Sequence, residues 1–401
     1  MKRNVRNVHF LAPGEQLDGE ARTGVSLHCH TLYSKESMDF IPYYAERIPL
    51  VSWIWRREMR RSLKREGRTP DFTTGYWTPP LTGCEVFGME ADNMKRFGLD
   101  GIVSITDHDS IGASVDTIKK HGVRNAPISL EWTVPFEEAF FHVGVHNLPV
   151  EHADAITKQL IDYTYAGGEP DDARLNELFS LLNELPDVLV VLNHPVWDIE
   201  MIGQHRHERA LGRFLAMHAK WIHAIEINGF RAWQENETAI EIADRLGMPI
   251  ISGGDRHCMH SNTMINVTDA ATFDEFVYEV RVDGHSRVAV TPEYHVPLPS
   301  RQLASISQIL GDFNHFPEGR KLWSDRVYFE STDGSGLKTL TDHWKGRRPL
   351  WTHAALWAVS FLSHPLMRRL IDRTVGDTDI GCDAGPAEKG FVIGTPITAQ
   401  R

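Results

Sequence analysis

Seven short apolar runs, rich in β-branched residues, punctuate the chain up to about residue 255, and most end on or beside a histidine, aspartate or glutamate. They are "GVSLHCH" (24–30), "DGIVSITDH" (100–108), "APISLEW" (126–132), "AFFHVGVH" (139–146), "DVLVVLNHP" (187–195), "IHAIEING" (222–229) and "MPIISGGD" (248–255). A strand with one wet face alternates apolar and polar residues. These runs are nearly continuous, as expected of parallel strands covered on both faces. Helical stretches over 110–121, 151–164, 171–185, 205–219 and 232–247 separate them. In the last, Ala239, Ile242, Ala243 and Leu246 keep a helical period, and Gly247 with Pro249 ends it. The expected class is α/β with a barrel-like arrangement, in which chemistry collects at the C-terminal ends of the strands.

Two regions interrupt this rhythm. An insertion at about 38–95 follows the first strand and contains "WIWRREMRRSLKREGR", 53–68. After about 297 comes a mainly helical extension with aromatic patches and a Gly/Asp/Pro-rich tail. The expected organisation is an N-terminal segment 1–23, a barrel 24–296 and a C-terminal extension 297–401 that packs on the barrel or joins a homo-oligomer.

The formal net charge of −12 argues against a surface that coats nucleic acid, though not against a local basic groove. The start of the chain lacks the apolar core of a secretory signal. "PLWTHAALWAVSFLSHPLM" (349–367) is too interrupted to span a bilayer and reads as a buried helix, with an interfacial helix as the second reading. The four cysteines are scattered and form no CxxC, so Cys29 and Cys258 read as small buried thiols beside the site. A cytoplasmic protein is expected.

The strand ends carry the chemistry. His28 and His30 close the first run, Asp107, His108 and Asp109 the second, and Glu131 the third. His142 and His146 lie on the fourth, His194 ends the fifth, and Asp255 with His257 ends the seventh. Residues two apart on a strand share a side, so His28 and His30 can reach one ion. "HRH" at 205–207 lies instead in a helical stretch, where residues two apart diverge, and reads as solvated surface. Imidazoles and carboxylates are ligands for zinc, manganese or iron. So many converging side chains exceed what one catalytic ion takes, which points to two or three divalent ions.

At this point the set "HCHT", "SITDHDS", "SLEW", "FHVGVHNL", "LNHP" and "GGDRH" resembles, in order, the polymerase-and-histidinol-phosphatase (PHP) superfamily of metal-dependent phosphoesterases. The resemblance covers about 24–290 and is specific as a set. It implies a distorted seven-stranded (β/α) barrel with a trinuclear metal site at the strand C-termini. It implies His28 and His30 on a first ion, Glu131 bridging two ions, His142 and His194 on the second, and His108 on the third. Asp255 and His257 would serve the first and third ions between them. Where many members carry Asp or His seven or eight residues after the first histidine, this chain has Lys35 and Glu36. Lys35 cannot ligate while charged, so Glu36 is the expected ligand. Asp107 and Asp109 are expected to hydrogen-bond ligating imidazoles, and His146 to stay outside the ligand set.

The activity so implied is hydrolysis of a phosphate ester by a metal-activated hydroxide, with Glu131, His194 and His257 nearest the chemistry. The substrate would be an anionic phosphorylated metabolite, nucleotide or short oligonucleotide. "TDHDS" resembles the nucleotide-cleaving branch more than the histidinol-phosphate one. Arg256 and the Arg-rich insertion are candidate phosphate cations. For the insertion, an exposed helix with a solvated basic face is preferred to a lid. Two other readings stay open. One is an amidohydrolase-type C–N hydrolase, which would typically add a ligating lysine in mid-barrel. The other is a non-catalytic PHP-like binding module.

Overall fold

The computed structural model describes residues 7–362, except 39, 48, 68, 124–125, 169, 332–333 and 335. The chain is mixed α/β, built on a ten-stranded sheet. Thr23–Cys29 lies at its centre. It pairs in parallel with Asp100–Val103 along one edge and with Ile250–Arg256 along the other. Ala224–Asn228 and Leu189–Leu192 continue the parallel set. Five of the anticipated strands therefore run parallel, with a helix in every crossover, because a parallel connection must return across the sheet.

The expectation of an all-parallel set is corrected at 130–146. Leu130–Phe136 and Ala139–His146 form an antiparallel hairpin, and the second strand is also antiparallel to Leu189–Leu192. The two residues between them, Glu137 and Glu138, are too few for a crossover, and Glu137 turns the chain at φ +54. The first hairpin strand starts four residues later than the apolar run suggests and continues through Pro135. That is tolerable because this strand ends the sheet, where a missing N–H breaks no ladder. Three short strands escape a sequence reading: Val8–Phe10, Met264–Thr268 and Val288–Val290. The first draws the N-terminal segment into the sheet by pairing with Val288–Val290.

Both faces of the sheet are covered. On one, Trp132, Phe136, Phe179 and Phe214 pack between strands and the helices Ala153–Thr164, Asp172–Asn183, Gln204–His218 and Trp233–Leu246. Gly247 caps the last of these in the left-handed conformation, as its position suggests. On the other face, Val25, Leu27, Leu189, Val191 and Ile251 meet Phe273, Phe276, Val277 and Val280 of the helix Phe273–Arg281. The end of the insertion also belongs to this scaffold. Helix Gly83–Lys95 lies against Thr23–Cys29 and Asp100–Val103, with Met94 so close to Gly24 that an added Cβ would sit 2.8 Å from its sulfur.

The described part of the region after 297 contains the helices Leu298–Ile309, Leu340–His343 and Leu350–Leu362, and also two strands, Val327–Glu330 and Leu337–Thr339. These join Tyr76–Trp77 and Glu36–Ser37 in a second, four-stranded sheet. The Leu350–Leu362 helix is not buried as its composition suggests, since Leu350, Trp357 and Phe361 are exposed; residues 363–367 of the same run lie outside the described residues. Among the described residues no helix is long and apolar enough to cross a membrane.

Arg326 anchors this region. It is fully buried and donates from Nη1 to the Arg320 carbonyl (3.0 Å) and from Nη2 to those of Ile309 (2.8 Å) and Gly311 (2.9 Å). Burial lowers its pKa to about 10, leaving it charged at neutral pH. Replacing it with leucine strands three carbonyls in the interior. The Arg326→Leu chain is expected to lose about 3 kcal/mol in urea unfolding.

Candidate metal centre

The backbone is strained where the candidate ligands sit. The ladder between Thr23–Cys29 and Ile250–Arg256 pairs Leu27 with Gly253 and Cys29 with Arg256, so one strand spends three residues where the other spends two. This bulge re-aims side chains. His28 (φ +65) and Asp255 (φ +44) lie in it at positive φ, and His194 (φ +26), just beyond Leu189–Leu192, also has positive φ. Left-handed backbone costs a non-glycine residue about 1–2 kcal/mol, and such strain concentrates at functional sites.

The result is a buried cluster centred on Glu131. Its Oε2 lies 3.0 Å from His28 Nε2, 3.3 Å from His30 Nε2 and 3.3 Å from His108 Nδ1. Its Oε1 lies 3.3 Å from both His142 Nδ1 and His194 Nε2. Asp255 Oδ1 stands 3.6 Å from His28 Nε2 and 3.4 Å from His30 Nε2. At the outer edge, Glu36 Oε2 faces His257 Nε2 at 3.1 Å and His108 Nε2 at 3.4 Å. All nine side chains named from the sequence thus come together.

Ligand atoms gather into four groups, in each of which every atom lies within 4.8 Å of the others: His30/Glu36/His108/His257, His28/His30/Glu131, His108/Glu131/His142 and His28/His194/Glu226. An ion bonded at about 2.1 Å holds neighbouring ligands about 3.4 Å apart, which matches the observed gaps. The hydrogen-bond count tests the fit. His30 Nε2, His108 Nδ1, His142 Nδ1 and Glu36 Oε1 are buried with no hydrogen-bond partner. A buried polar atom left unpaired costs about 1–3 kcal/mol, and four converging ones suit divalent ions. His108 belongs to two groups, a sharing that the one-ion role implied by the resemblance did not include.

Burial is the largest influence on each of these groups, and charge decides who overcomes it. It holds the His30 pKa down to about 3 and that of His142 to about 4, so both rings are neutral and can ligate. For Glu131, burial is outweighed by His28, His142 and His108, and its carboxyl is held well below the usual range. Glu36 is likewise held down by His257 and His108. His108 goes the other way: Glu36 and Glu131 overcome burial and raise it to about 10.

Several supporting residues were not legible beforehand. Glu226 Oε1 lies 2.6 Å from His28 Nδ1, and its Oε2 accepts from the His194 backbone N–H (2.7 Å) and Asn228 (3.1 Å). A carboxylate on Nδ1 leaves Nε2 of His28 free for metal. Gly253 makes room: a Cβ there would lie 1.6 Å from Glu226 Oε1. The signal was a lone carboxylate inside the apolar run "AIEIN". Asn193 donates to Glu131 Oε1 (2.9 Å), and Ser34 lies 3.2 Å from His30 Nδ1.

Of the other expectations, those for Arg256, Asp107, Asp109 and His207 are corrected, and those for His146, the two cysteines and the insertion helix agree with the structure. Arg256 is buried against Glu90 (2.7 Å) and the His260 carbonyl, turned from the cluster by strand alternation. Asp107 accepts from Thr31 N–H and hydroxyl, and Asp109 from Thr133 N–H and Tyr165; they brace loops rather than imidazoles. His207 is buried, with Nε2 on the Pro195 carbonyl, whereas His205 is solvated as expected. His146 bonds Ser104 and stands outside the four groups. Cys29 and Cys258 are free, buried thiols. The insertion helix Pro49–Glu66 turns Trp53, Arg56, Arg57, Arg60, Arg61 and Lys64 to solvent; the Arg65 side chain and Arg68 lie outside the described residues.

No family model matches the chain, and neither does any curated sequence. Eleven solved chains do. They include PsfC from Pseudomonas syringae, at 17% identity over 52% of this chain and 84% of that one, with a TM-score of 0.36. An amidohydrolase from Chromobacterium violaceum, with sulfate bound and no metal, matches at 15% over 57% and 93%, with a TM-score of 0.32. A protein described as a metal-dependent phosphoesterase from Bifidobacterium adolescentis matches at 12% over 66% and 97%, with a TM-score of 0.33. These likenesses are slight, and the functional reading rests on the side chains.

An imidazole must be deprotonated to ligate. Because His108 holds its proton up to a pKa of about 10, metal must displace that proton at neutral pH. Manganese titration of the chelator-stripped chain is expected to release protons and to show affinity rising from pH 6.5 to 8.5. Calorimetry in two buffers of different ionisation enthalpy measures both.

Proposed function

We propose that the chain is a metal-dependent hydrolase of phosphate esters, built on a distorted (β/α)7 barrel with the cluster at its mouth. The observation that carries this reading is Glu131: one fully buried carboxylate within 3.3 Å of five imidazoles, several with unpaired nitrogens. The barrel reading is supported by strand order. Asp100–Val103, Thr23–Cys29, Ile250–Arg256, Ala224–Asn228, Leu189–Leu192, Ala139–His146 and Leu130–Phe136 are consecutive neighbours, and a bridge between His108 and Glu131 links the last back towards the first.

In this reading His28, His30, Glu36, His108, Glu131, His142, His194, Asp255 and His257 hold two or three ions of zinc, manganese or iron. Bound ions would supply Lewis acidity, making water nucleophilic near neutral pH and neutralising phosphoryl oxygens. The chain's own part is positional. Glu131 presents an oxygen to each side of the cluster, and Glu226 fixes the His28 ring. His108 and His257 are the more exposed members, so the ester approaches from their side. Beside His257 lies a cavity of about 360 Å³ lined by Phe230, Met259, Thr263, Val296 and Ala304, suited to the part of the substrate that does not react. Helix Leu298–Ile309 walls it, and Gln308 accepts from Met259 N–H (2.9 Å). The extension after 297 would thereby shape specificity.

Grouped sites favour phosphoryl chemistry, where paired ions clamp attacking and leaving oxygens. For the C–N hydrolase reading, a mid-barrel lysine is the missing sign: neither 187–195 nor 222–229 contains one. Metal analysis of the purified chain, beside a panel of phosphomonoesters, nucleotides and short oligonucleotides, tests the proposal. Phosphate release dependent on added metal is expected. Asp255→Ala should lose more than about 100-fold in kcat/KM, and Glu226→Gln about 10–100-fold. Absence of both metal and phosphate release under every supplement would overturn it.

A further inference from the structure

Eight of the nine candidate ligands lie on strands of the large sheet or just beyond them, and Glu36 does not. It belongs to the two-residue strand Glu36–Ser37, whose register pairs Glu36 with Trp77 and Ser37 with Tyr76. Tyr76–Trp77 is paired on its other side with Val327 and Tyr328. Val327–Glu330 in turn pairs with Leu337–Thr339. Two-residue strands do not hold themselves in place, so the position of Glu36 depends on what backs them.

That backing comes from the C-terminal region. Met38, Val327 and Phe329 form a buried apolar cluster with Ile41, Phe72, Trp77, Trp323 and Leu340 around it. Gly75 lets the Phe329 ring close over the turn before Trp77, for a Cβ would lie 2.6 Å from that ring. The Arg326 carbonyl accepts from Thr78 N–H (2.9 Å), fixing the strand pair to the anchored arginine. The Trp77 ring reaches the cluster itself, 5.8 Å from that of His257.

We infer that the strand pair Val327–Glu330 and Leu337–Thr339 is a positioning element for the outer metal group: through Tyr76–Trp77 it places Glu36 among His30, His108 and His257. The inference rests on the metal-centre reading and adds a division within it. Glu36 is the carboxylate of that group, and without it a divalent ion would meet three imidazoles and no neutralising charge. The groups built on Glu131 need nothing from the small sheet. Loss of the packing of Val327–Glu330 and Leu337–Thr339 should therefore empty one position and leave the others filled.

The test compares full-length wild type, Phe329→Ala and Glu36→Gln after chelation, titrated with Mn²⁺ and counted by elemental analysis, with a thermal melt for each. Phe329→Ala lies far from the cluster in sequence and touches it through the strand pair. Both variants are expected to bind the last ion about 10–100-fold more weakly than wild type while holding the remaining ions as wild type does. Full occupancy in Glu36→Gln, or in Phe329→Ala alone, overturns the inference. So does a Phe329→Ala chain that loses every ion together, since the small sheet would then be a general support. A wild type that binds no manganese, zinc or iron would sink the metal-centre reading itself, a result separable from the others.

Discussion

A single carboxylate organises this molecule's chemistry. Glu131 has no exposed surface, and its two oxygens face five imidazoles drawn from or just beyond four separate strands. In a low-dielectric interior such a charge is tolerable only when opposite charge or donors surround it. The imidazoles cannot all be charged either, because they stack on one another: His30 lies 4.3 Å from His257 and 4.7 Å from His108, centroid to centroid. Divalent ions would resolve both conflicts at once, replacing protons that repel each other by charge that each ring and carboxylate can share.

The scaffold is arranged to tolerate that crowding. Helices on one face and the Phe273–Arg281 helix on the other bury both sides of the sheet, so the strand ends are held from behind. Against this rigid base the bulge at His28 and Asp255 can be kept in an unfavourable backbone conformation. Glu226 and Gly253 show the same logic in side chains: the residue that orients His28 exists only where its neighbour has no Cβ.

Much of this was legible in the sequence, for physical reasons. Strands such as Leu189–Leu192 and helices such as Trp233–Leu246 announce themselves because buried parallel strands are apolar throughout and amphipathic helices keep their period. Most of the candidate ligands could be named because they end apolar runs, although Glu131 proves to open the strand Leu130–Phe136 and His142 to lie within Ala139–His146. Direction of pairing was not legible, since Leu130–Phe136 and Ala139–His146 have the same composition whether parallel or antiparallel. Supporting residues were missed where their meaning depends on a partner remote in sequence. Glu226 looks like a misplaced charge until His28 is beside it, and Arg256 looks like a phosphate ligand until Glu90 is. The strands Glu36–Ser37 and Tyr76–Trp77 are too short to carry any periodicity at all.

The small sheet also has a temporal meaning. Its register couples residue 36 to residue 77 and residue 77 to residue 327, a pairing with nearly the greatest sequence separation the described chain contains. Contacts of that kind form late, after local structure has condensed. During synthesis the parallel strands up to Arg256 can assemble while the partner of Tyr76–Trp77 is still unmade. The small sheet that includes Glu36 thus cannot be complete before Leu337–Thr339 has been made.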